Sequence, residues 1–344
     1  MRAVVYTEPG PSSVLRVVDR ELPEPGRGDV RVRVVRSGVN PTDWKFRAFT
    51  QQRYDEVVPG QDGAGVVDAV GEGVDSVAAG DRVWLAMAQN GRAYGTAAEF
   101  TVQRAENVFR LPDGADFDLG ASLGVPAVTA HRALTCAQDG PTRLGPDALA
   151  GRVVLVAGGA GAVGNSAIQL ARWSGATVIT TVSSEEKAVM AAVAGAHHVV
   201  NYRASDVKDA IRAVAPDGVD VVVEVSPAQN NDLDLAVIKN HGTIAVYGNN
   251  GGNKFTVDVY KTFWRNVRYQ FVLLYPLSPD LLRAAGEDIN AAASSGGLRV
   301  GEKAGLPLHH FALEELRAAH DAVEGGAVGK VLIDVAARPD GAVS

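Results

Sequence analysis

Two rhythms of apolar and polar positions divide the chain, and the change comes near Gly151. From Met1 to about Asn107, short apolar runs are broken by Gly and Pro. The segment "DVRVRVVRSGV" alternates Val with Arg or Asp, the period of a strand with one buried face. "GAGVVDAVGEGV", "GDRVWLAM" and "AAEFTVQRAENVFRLP" continue in the same manner, and no helical period appears until "FDLGASLGVPAVTAHRAL". This half predicts a compact, largely antiparallel β-rich domain. Beyond Gly151 the rhythm becomes strand, helix, strand, helix. The apolar runs "RVVLVAG", "ATVITTV", "HHVVNY", "VDVVVEV" and "TIAVYGN" are apolar on both faces, as buried parallel strands are. Between them "GNSAIQLARWSG", "SEEKAVMAAVAG" and "SDVKDAIRAVA" have the spacing of covering helices. A sixth run, "YQFVLLYP", predicts a long apolar strand at a sheet edge. The chain closes with helix, strand, helix and strand at "DLLRAAGEDINAAASS", "LPLHHF", "LEELRAAHDAVEGG" and "GKVLIDVA".

Composition narrows this picture. Of 344 residues, 46% are hydrophobic and 21% charged, which is the balance of a soluble globular protein of about two domains. A net charge of −7 gives no electrostatic reason to expect nucleic acid or an anionic membrane as a partner. With Cys136 alone, neither an intrachain disulfide nor a multi-thiolate zinc site can form. "MRAVVYTEPG" lacks the apolar core of a signal peptide and no run reaches membrane-spanning length, so a cytoplasmic protein is expected. The clustered histidines, His197–His198 and His309–His310, fall on predicted strands, where neighbours face opposite sides; one buried and one exposed member is expected of each pair.

The stretch "VVLVAGGAGAVGNSAIQLARWSG" carries the most chemistry. Gly159–Gly164, "GAGAVG", fits G-x-G-x-x-G between a buried strand and an amphipathic helix, the context in which this loop cradles a pyrophosphate. Gly159 is expected to permit the turn, Gly161 to let the phosphates approach, and Gly164 to let helix and strand pack closely. Ala162 and Val163 open the helix whose N–H groups face the ligand. An NAD-selective site places Asp or Glu at the end of the second strand. Here Ser183 stands there, with Lys187 a helical turn later and Tyr202 and Arg203 ending the third strand. A hydroxyl and positive charges suit a 2′-phosphate, so NADPH is expected. Ser183 and Glu186 also form a capping-box pattern, and Glu185 and Glu186 argue the other way.

The motifs "NPTDWKFR", "PGQDGAGVV", "GDRV", "GVPAVTAHRAL", "GGAGAVGNSAIQLA", "NYR" and "GKVLIDV" occur in the order seen in medium-chain dehydrogenases/reductases. Over essentially the whole chain the sequence resembles the zinc-independent quinone oxidoreductases related to zeta-crystallin. The resemblance implies an α/β protein: a GroES-like β-rich catalytic domain from 1–125 with 272–344, and a Rossmann doubly wound parallel-sheet domain over 126–271, with the active cleft at their junction. It also implies a homodimer, for which pairing of the "YQFVLLYP" edge offers a physical reason. Zinc alcohol dehydrogenases of the superfamily carry a metal-binding Cys where this chain has Asn40, and "GHE" where it has "GQD", Gly60–Asp62. No metal is therefore expected.

Without a Lewis acid an alcohol is a poor substrate, whereas a quinone or an alkene conjugated to a carbonyl takes a hydride as a delocalised anion. The resemblance places candidates around such an electron-poor acceptor. Asn40 can donate its amide to the acceptor oxygen or orient the nicotinamide. Asp43 can brace a turn, or give a proton if its pKa is raised, and Tyr54 can hydrogen-bond or stack. Thr129, Tyr247, Gly248 and Lys330 are cofactor contacts. The null roles are equally concrete: "NP" marks turns, Asp43 can cap the following segment, and Tyr54 can be packing. Aromatics in "FRAFTQQRY" and "YKTFW" are expected to line the acceptor pocket. NADPH-dependent quinone reduction leads; enone or enoyl reduction, and a cofactor-binding structural or RNA-binding role, are the alternatives.

Overall fold

A computed structural model describes residues 1–50 and 53–335. The chain forms two compact units, Met1–Val125 with the segment from Leu308 onward, and Pro126–Pro307. Residues 272–307, assigned from the sequence to the first unit, belong to the second. The reason is the helix Pro279–Ser294, whose buried Leu282, Ala285, Ile289 and Ala292 form an apolar stripe that packs onto the helix Ala162–Trp173.

In the first unit, seven strands form one sheet. Asp29–Val39 is its central member, antiparallel to Asp62–Val70, to Phe100–Arg104 and to Lys330–Asp334. Val30, Val32 and Val34 alternate inward as the Val/Arg period requires. A helix at Pro41–Phe49 departs from the expectation that this half has no early helix. Its signal is chemical rather than periodic: Asn40 at the N-cap, Pro41 in the first turn, and Asp43 three residues on, accepting from the Asn40 N–H at 2.7 Å.

The second unit is doubly wound. Six parallel strands run from edge to edge as His198–Asn201, Thr177–Val182, Val153–Ala157, Val219–Glu224, Ile238–Val246 and Arg268–Phe271. In chain order this is 3-2-1-4-5-6, so the order reverses beside Val153–Ala157, where α/β sheets bind ligands at the carboxyl ends. Leu155, Ile179, Val222 and Ile244 pack one face against Ile211 and Leu235 of covering helices. The helix carrying Leu235, Pro227–Val237, has no clear apolar period in sequence because Asn231 and Asp234 are buried on it. The sixth strand, Arg268–Phe271, covers only the first three residues of the expected "YQFVLLYP" run. It is an edge strand, and beyond it Val272 and Leu274 are buried while Phe271 and Leu273 are exposed. Both histidine pairs lie wholly on the surface, contrary to the one-in, one-out expectation. His198 and His309–His310 sit on edge strands, where neither face is fully covered.

An ion-pair cluster ties the helices of the second unit. His131 Nε2 lies 2.8 Å from Asp288 Oδ2, Arg143 Nε donates to Asp288 Oδ1 at 2.9 Å, and the Leu144 N–H donates to Oδ2 at 2.7 Å. Burial pushes the Asp288 carboxyl up, but the bonds from His131 and Arg143 outweigh it and hold the group at about 2. Its stabilisation is therefore complete above the unfolded value near 4 and is lost as pH falls towards 2. Asp288→Asn is expected to lower stability at pH 7 by about 2 kcal/mol, after allowance for solvent screening, and to flatten the loss between pH 4 and pH 2. Denaturant midpoints across that range check this; an unchanged slope contradicts it.

Candidate functional site

The carboxyl edge of the six-stranded sheet gathers the residues expected to hold a nucleotide. Val153–Ala157 leads into Gly158, whose φ of +73° makes it the turning residue. Gly159, expected in that role, instead permits close packing: a Cβ there would lie 2.2 Å from Thr180 Oγ1 and 2.8 Å from Ile168 Cδ1. At Gly164 a Cβ would come within 2.4 Å of the Gly158 carbonyl oxygen, so helix and strand meet only because it is glycine. Gly161 differs from both. Its φ of −79° suits any residue, and a Cβ would meet only the Gly158 oxygen at 3.5 Å. The fold gives no reason for glycine at this position. It caps the helix Ala162–Trp173 with no side-chain acceptor, leaving the first-turn N–H groups of Ala162, Val163 and Gly164 without helical partners. A pyrophosphate fits that cradle.

Along the same edge, Ser183 follows the second strand and its Oγ accepts from Lys187 Nζ at 3.0 Å. Ser183 does not cap the next helix as the sequence pattern implied; Ser184 does, accepting from the Lys187 N–H. Glu185, the opposing acid, accepts from Asn201 Nδ2 at 2.7 Å. Tyr202 ends the third strand with its ring exposed. Tyr247 and Gly248 follow the fifth. A Cβ on Gly248 would lie 2.8–2.9 Å from Val225, so this loop presses on the end of the fourth strand. Glu224, fully buried there, accepts from Asn230 Nδ2 at 3.1 Å, and the Ser226 hydroxyl donates to the Asn250 carbonyl at 2.7 Å. Burial and the nearby Glu224 charge push Asp234 well above the usual carboxylate range. Nothing in the sequence pattern singled out this pair.

In the first unit, the register of three strands assembles a buried polar cluster. Val331 pairs with Val39 and Gly38 with Asp62, which brings the ends Lys330, Asn40 and Asp62 together. Lys330 Nζ donates to Asn40 Oδ1 at 2.7 Å and to Asp62 Oδ2 at 2.9 Å. Asn40 Nδ2 donates to Asp62 Oδ2 at 2.8 Å, and Asp62 Oδ1 accepts from the Val125 N–H at 2.7 Å. Asn40, Asp62 and Lys330 are 2%, 0% and 1% exposed. Gly38 lies against them: a Cβ would come within 2.2 Å of the Ala121 carbonyl oxygen and 3.0 Å from both Asp62 Cβ and Lys330 Cε. Asp43 completes the cluster, accepting also from the Gln61 N–H at 3.1 Å. Burial, then the Asp62 charge, push its carboxyl up to about 7.

The structure therefore brings Asn40, Asp43 and Lys330 together, and adds Asp62, which the sequence offered only as part of an altered "GHE". Lys330 points into this cluster, not onto an open surface. Tyr54 lies elsewhere in the unit, in a cavity of about 380 Å³ with Tyr94, Phe100, Arg20 and Val102; none of Asn40, Asp43, Asp62 or Lys330 lines it. Gln51 and Gln52 of the expected pocket segment lie outside the described residues. Thr129 is buried on the helix Gly124–Leu134 of the second unit. The aromatics Tyr260 and Trp264, expected in the acceptor pocket, are exposed beside Asn240 and Arg265 at the amino ends of the fifth and sixth strands. That edge is opposite the glycine loop.

Comparison with known proteins matches this geometry. A family model described as "Alcohol dehydrogenase GroES-like domain" covers residues 26–113, and one described as "Zinc-binding dehydrogenase" covers residues 162–286. The quinone oxidoreductase of Lama guanicoe is 32% identical over 342 residues, spanning 97% of each chain. The chain belongs to the zeta-crystallin-like quinone oxidoreductases of the medium-chain dehydrogenase/reductase superfamily. Among solved structures, mycobacterial Rv1454c complexed with NADPH is 30% identical with a TM-score of 0.81, covering 97% of this chain and 100% of that one. An NAD-dependent alcohol dehydrogenase is 28% identical with a TM-score of 0.84, covering 98% and 100%.

In this quinone oxidoreductase family member the "Zinc-binding dehydrogenase" match falls on the nucleotide half. At Asn40 and Gln61, where the sequence resemblance implied metal ligands in zinc alcohol dehydrogenases, this chain has amides, with the buried Lys330 ammonium against the first. These amides are neutral, and the Asp62 carboxylate beside them is already taken up by Lys330, Asn40 and the Val125 N–H, an arrangement that does not fit a divalent cation. Among the described residues no group of three or more His, Cys, Asp or Glu is placed to hold one. The glycine loop gives a direct test. Gly161→Ala is expected to leave thermal stability unchanged and to weaken NADPH about 10-fold, while Gly164→Ala lowers stability by about 2 kcal/mol or more. Calorimetric melting and cofactor titration check both; a Gly161→Ala protein with wild-type affinity contradicts the cradle.

Proposed function

We propose that the chain reduces quinones with NADPH by direct hydride transfer, without a metal. The observation that carries this reading is the Lys330 ammonium, buried against both Asn40 and Asp62, where it occupies the polar cluster with a positive charge. With no Lewis acid to stabilise an alkoxide, the favoured acceptor is one whose reduced form spreads its own charge. NADPH supplies the hydride when bound. One quinone carbonyl becomes an oxyanion, and water supplies the proton that completes the hydroquinone.

The chain's own residues supply binding, orientation and hydrogen bonds. Gly161 and the first turn of Ala162–Trp173 receive the pyrophosphate. Ser183, Lys187 and Tyr202 face the 2′-phosphate, and the mycobacterial relative complexed with NADPH supports that cofactor. Thr129, Tyr247 and Gly248 take the nicotinamide end. Asn40 donates to the acceptor oxygen. Asp43 accepts from the Asn40 N–H at the start of Pro41–Phe49 and from the Gln61 N–H, and is a structural support. Tyr54 is not assigned a role in this reading, because Asn40 does not line its cavity.

We also propose a homodimer built through the exposed edge strand Arg268–Phe271, with Phe271 and Leu273 covered by the second copy. Among the described residues no helix is long and apolar enough to cross a membrane.

Steady-state assays test the reading. NADPH is expected to bind at least about 10-fold more tightly than NADH, and Lys187→Ala to remove most of that preference. Naphthoquinone is expected to exceed an aliphatic enone in kcat/KM. Tighter NADH binding overturns the cofactor assignment, preference for the enone overturns the acceptor, and a monomer in sedimentation at micromolar concentration overturns the dimer.

A further inference from the structure

The amide of Asn40 has the same shape whichever way it is turned, so its partners alone decide which end is oxygen and which is nitrogen. Here the partners are of opposite kinds. An ammonium only donates and a carboxylate only accepts, so Oδ1 faces Lys330 and Nδ2 faces Asp62. Both partners are themselves held. Asp62 Oδ1 takes the Val125 N–H, and the Lys330 stem lies against Gly38. Turning the amide over would set its nitrogen against the ammonium and its oxygen against the carboxylate, with no water to relieve either contact at 0–2% exposure.

We propose that the Asp62–Lys330 ion pair is a positioning device that locks the Asn40 amide, so that its Nδ2 end holds one fixed direction as a donor. One Nδ2–H is taken by Asp62, and one of the two Oδ1 lone pairs faces the Lys330 ammonium, so the donor left to Asn40 is its second Nδ2–H. A lone donor strengthens its bond as a ligand oxygen gains negative charge, and it gives nothing to a substrate hydroxyl that must lose a proton. The class of ligand selected is a carbonyl oxygen that becomes an oxyanion. This deepens the function proposed above and rests on its placing of Asn40 at the acceptor.

Three variants test it: Asp62→Asn, Lys330→Met, and the two combined. For each, melting temperature, NADPH affinity by fluorescence, and kcat with 1,4-benzoquinone are measured. The single variants leave one charge unpaired and are expected to melt lower, and the neutral double variant to recover much of that loss. The lock predicts that kcat nevertheless stays at least about 10-fold below wild type in the double variant, with NADPH affinity within about twofold, because the amide is no longer oriented. A purely structural pair predicts that kcat returns with the melting temperature. Recovered kcat, or a double variant that does not fold, overturns the proposal. A wild-type protein that binds NADPH but reduces no quinone would instead remove the proposed acceptor. In that case asparagine-selective 15N spectra decide the lock: one Asn40 side-chain amide set in the wild type and averaging in the double variant support it, and identical spectra overturn it.

Discussion

An ammonium and a carboxylate taken out of water each lose several kcal/mol of solvation, regained only when their geometry leaves no charge unanswered. Lys330 and Asp62 meet that condition in the first unit, 2.9 Å apart at 1% and 0% exposure, with the Asn40 amide bridging them. Removing either partner alone leaves a bare buried charge, a loss of about 3–5 kcal/mol. The surrounding sheet is shaped to this pair. Gly38 lacks the side chain that would strike the Ala121 carbonyl oxygen and crowd both members, and the paired strands Asp29–Val39, Asp62–Val70 and Lys330–Asp334 end together there. The helix Pro41–Phe49 starts from Asn40, so backbone direction and side-chain chemistry are set by one residue.

The second unit answers a different constraint, the need to bring a dianionic phosphate group against backbone. Gly158 turns, Gly159 and Gly164 allow close packing, and Gly161 leaves space. Four glycines that look alike in the sequence thus have three separate physical causes. Ser183, Lys187 and Tyr202 lie along the same carboxyl edge, while Glu185 is held by Asn201.

Much of this was legible in the sequence where one force dominates. The Val-rich runs of the doubly wound sheet and the Val/Arg alternation of Asp29–Val39 report burial directly, and the strands follow them. The glycine loop was legible because its neighbours on both sides had the right period. Reading failed where a side chain acts against its usual habit. The helix Pro227–Val237 buries Asn231 and Asp234, so no apolar period marks it. The helix Pro41–Phe49 is announced by caps, not by periodicity. Lys330 reads as a surface charge beside a cofactor, and only the strand register shows that it turns inward to Asp62, 268 residues away in the chain. Long-range partners of this kind leave no local trace.

The account depends on hydride transfer being managed by protein hydrogen bonds and an internal ammonium, with no metal. The measurement that tests it most directly is NADPH-dependent quinone reduction by protein dialysed against a strong chelator, with metal content determined on the same sample. Full kcat with far less than one metal ion per chain is the predicted result. Activity that disappears with the metal and returns in proportion to added zinc would contradict it.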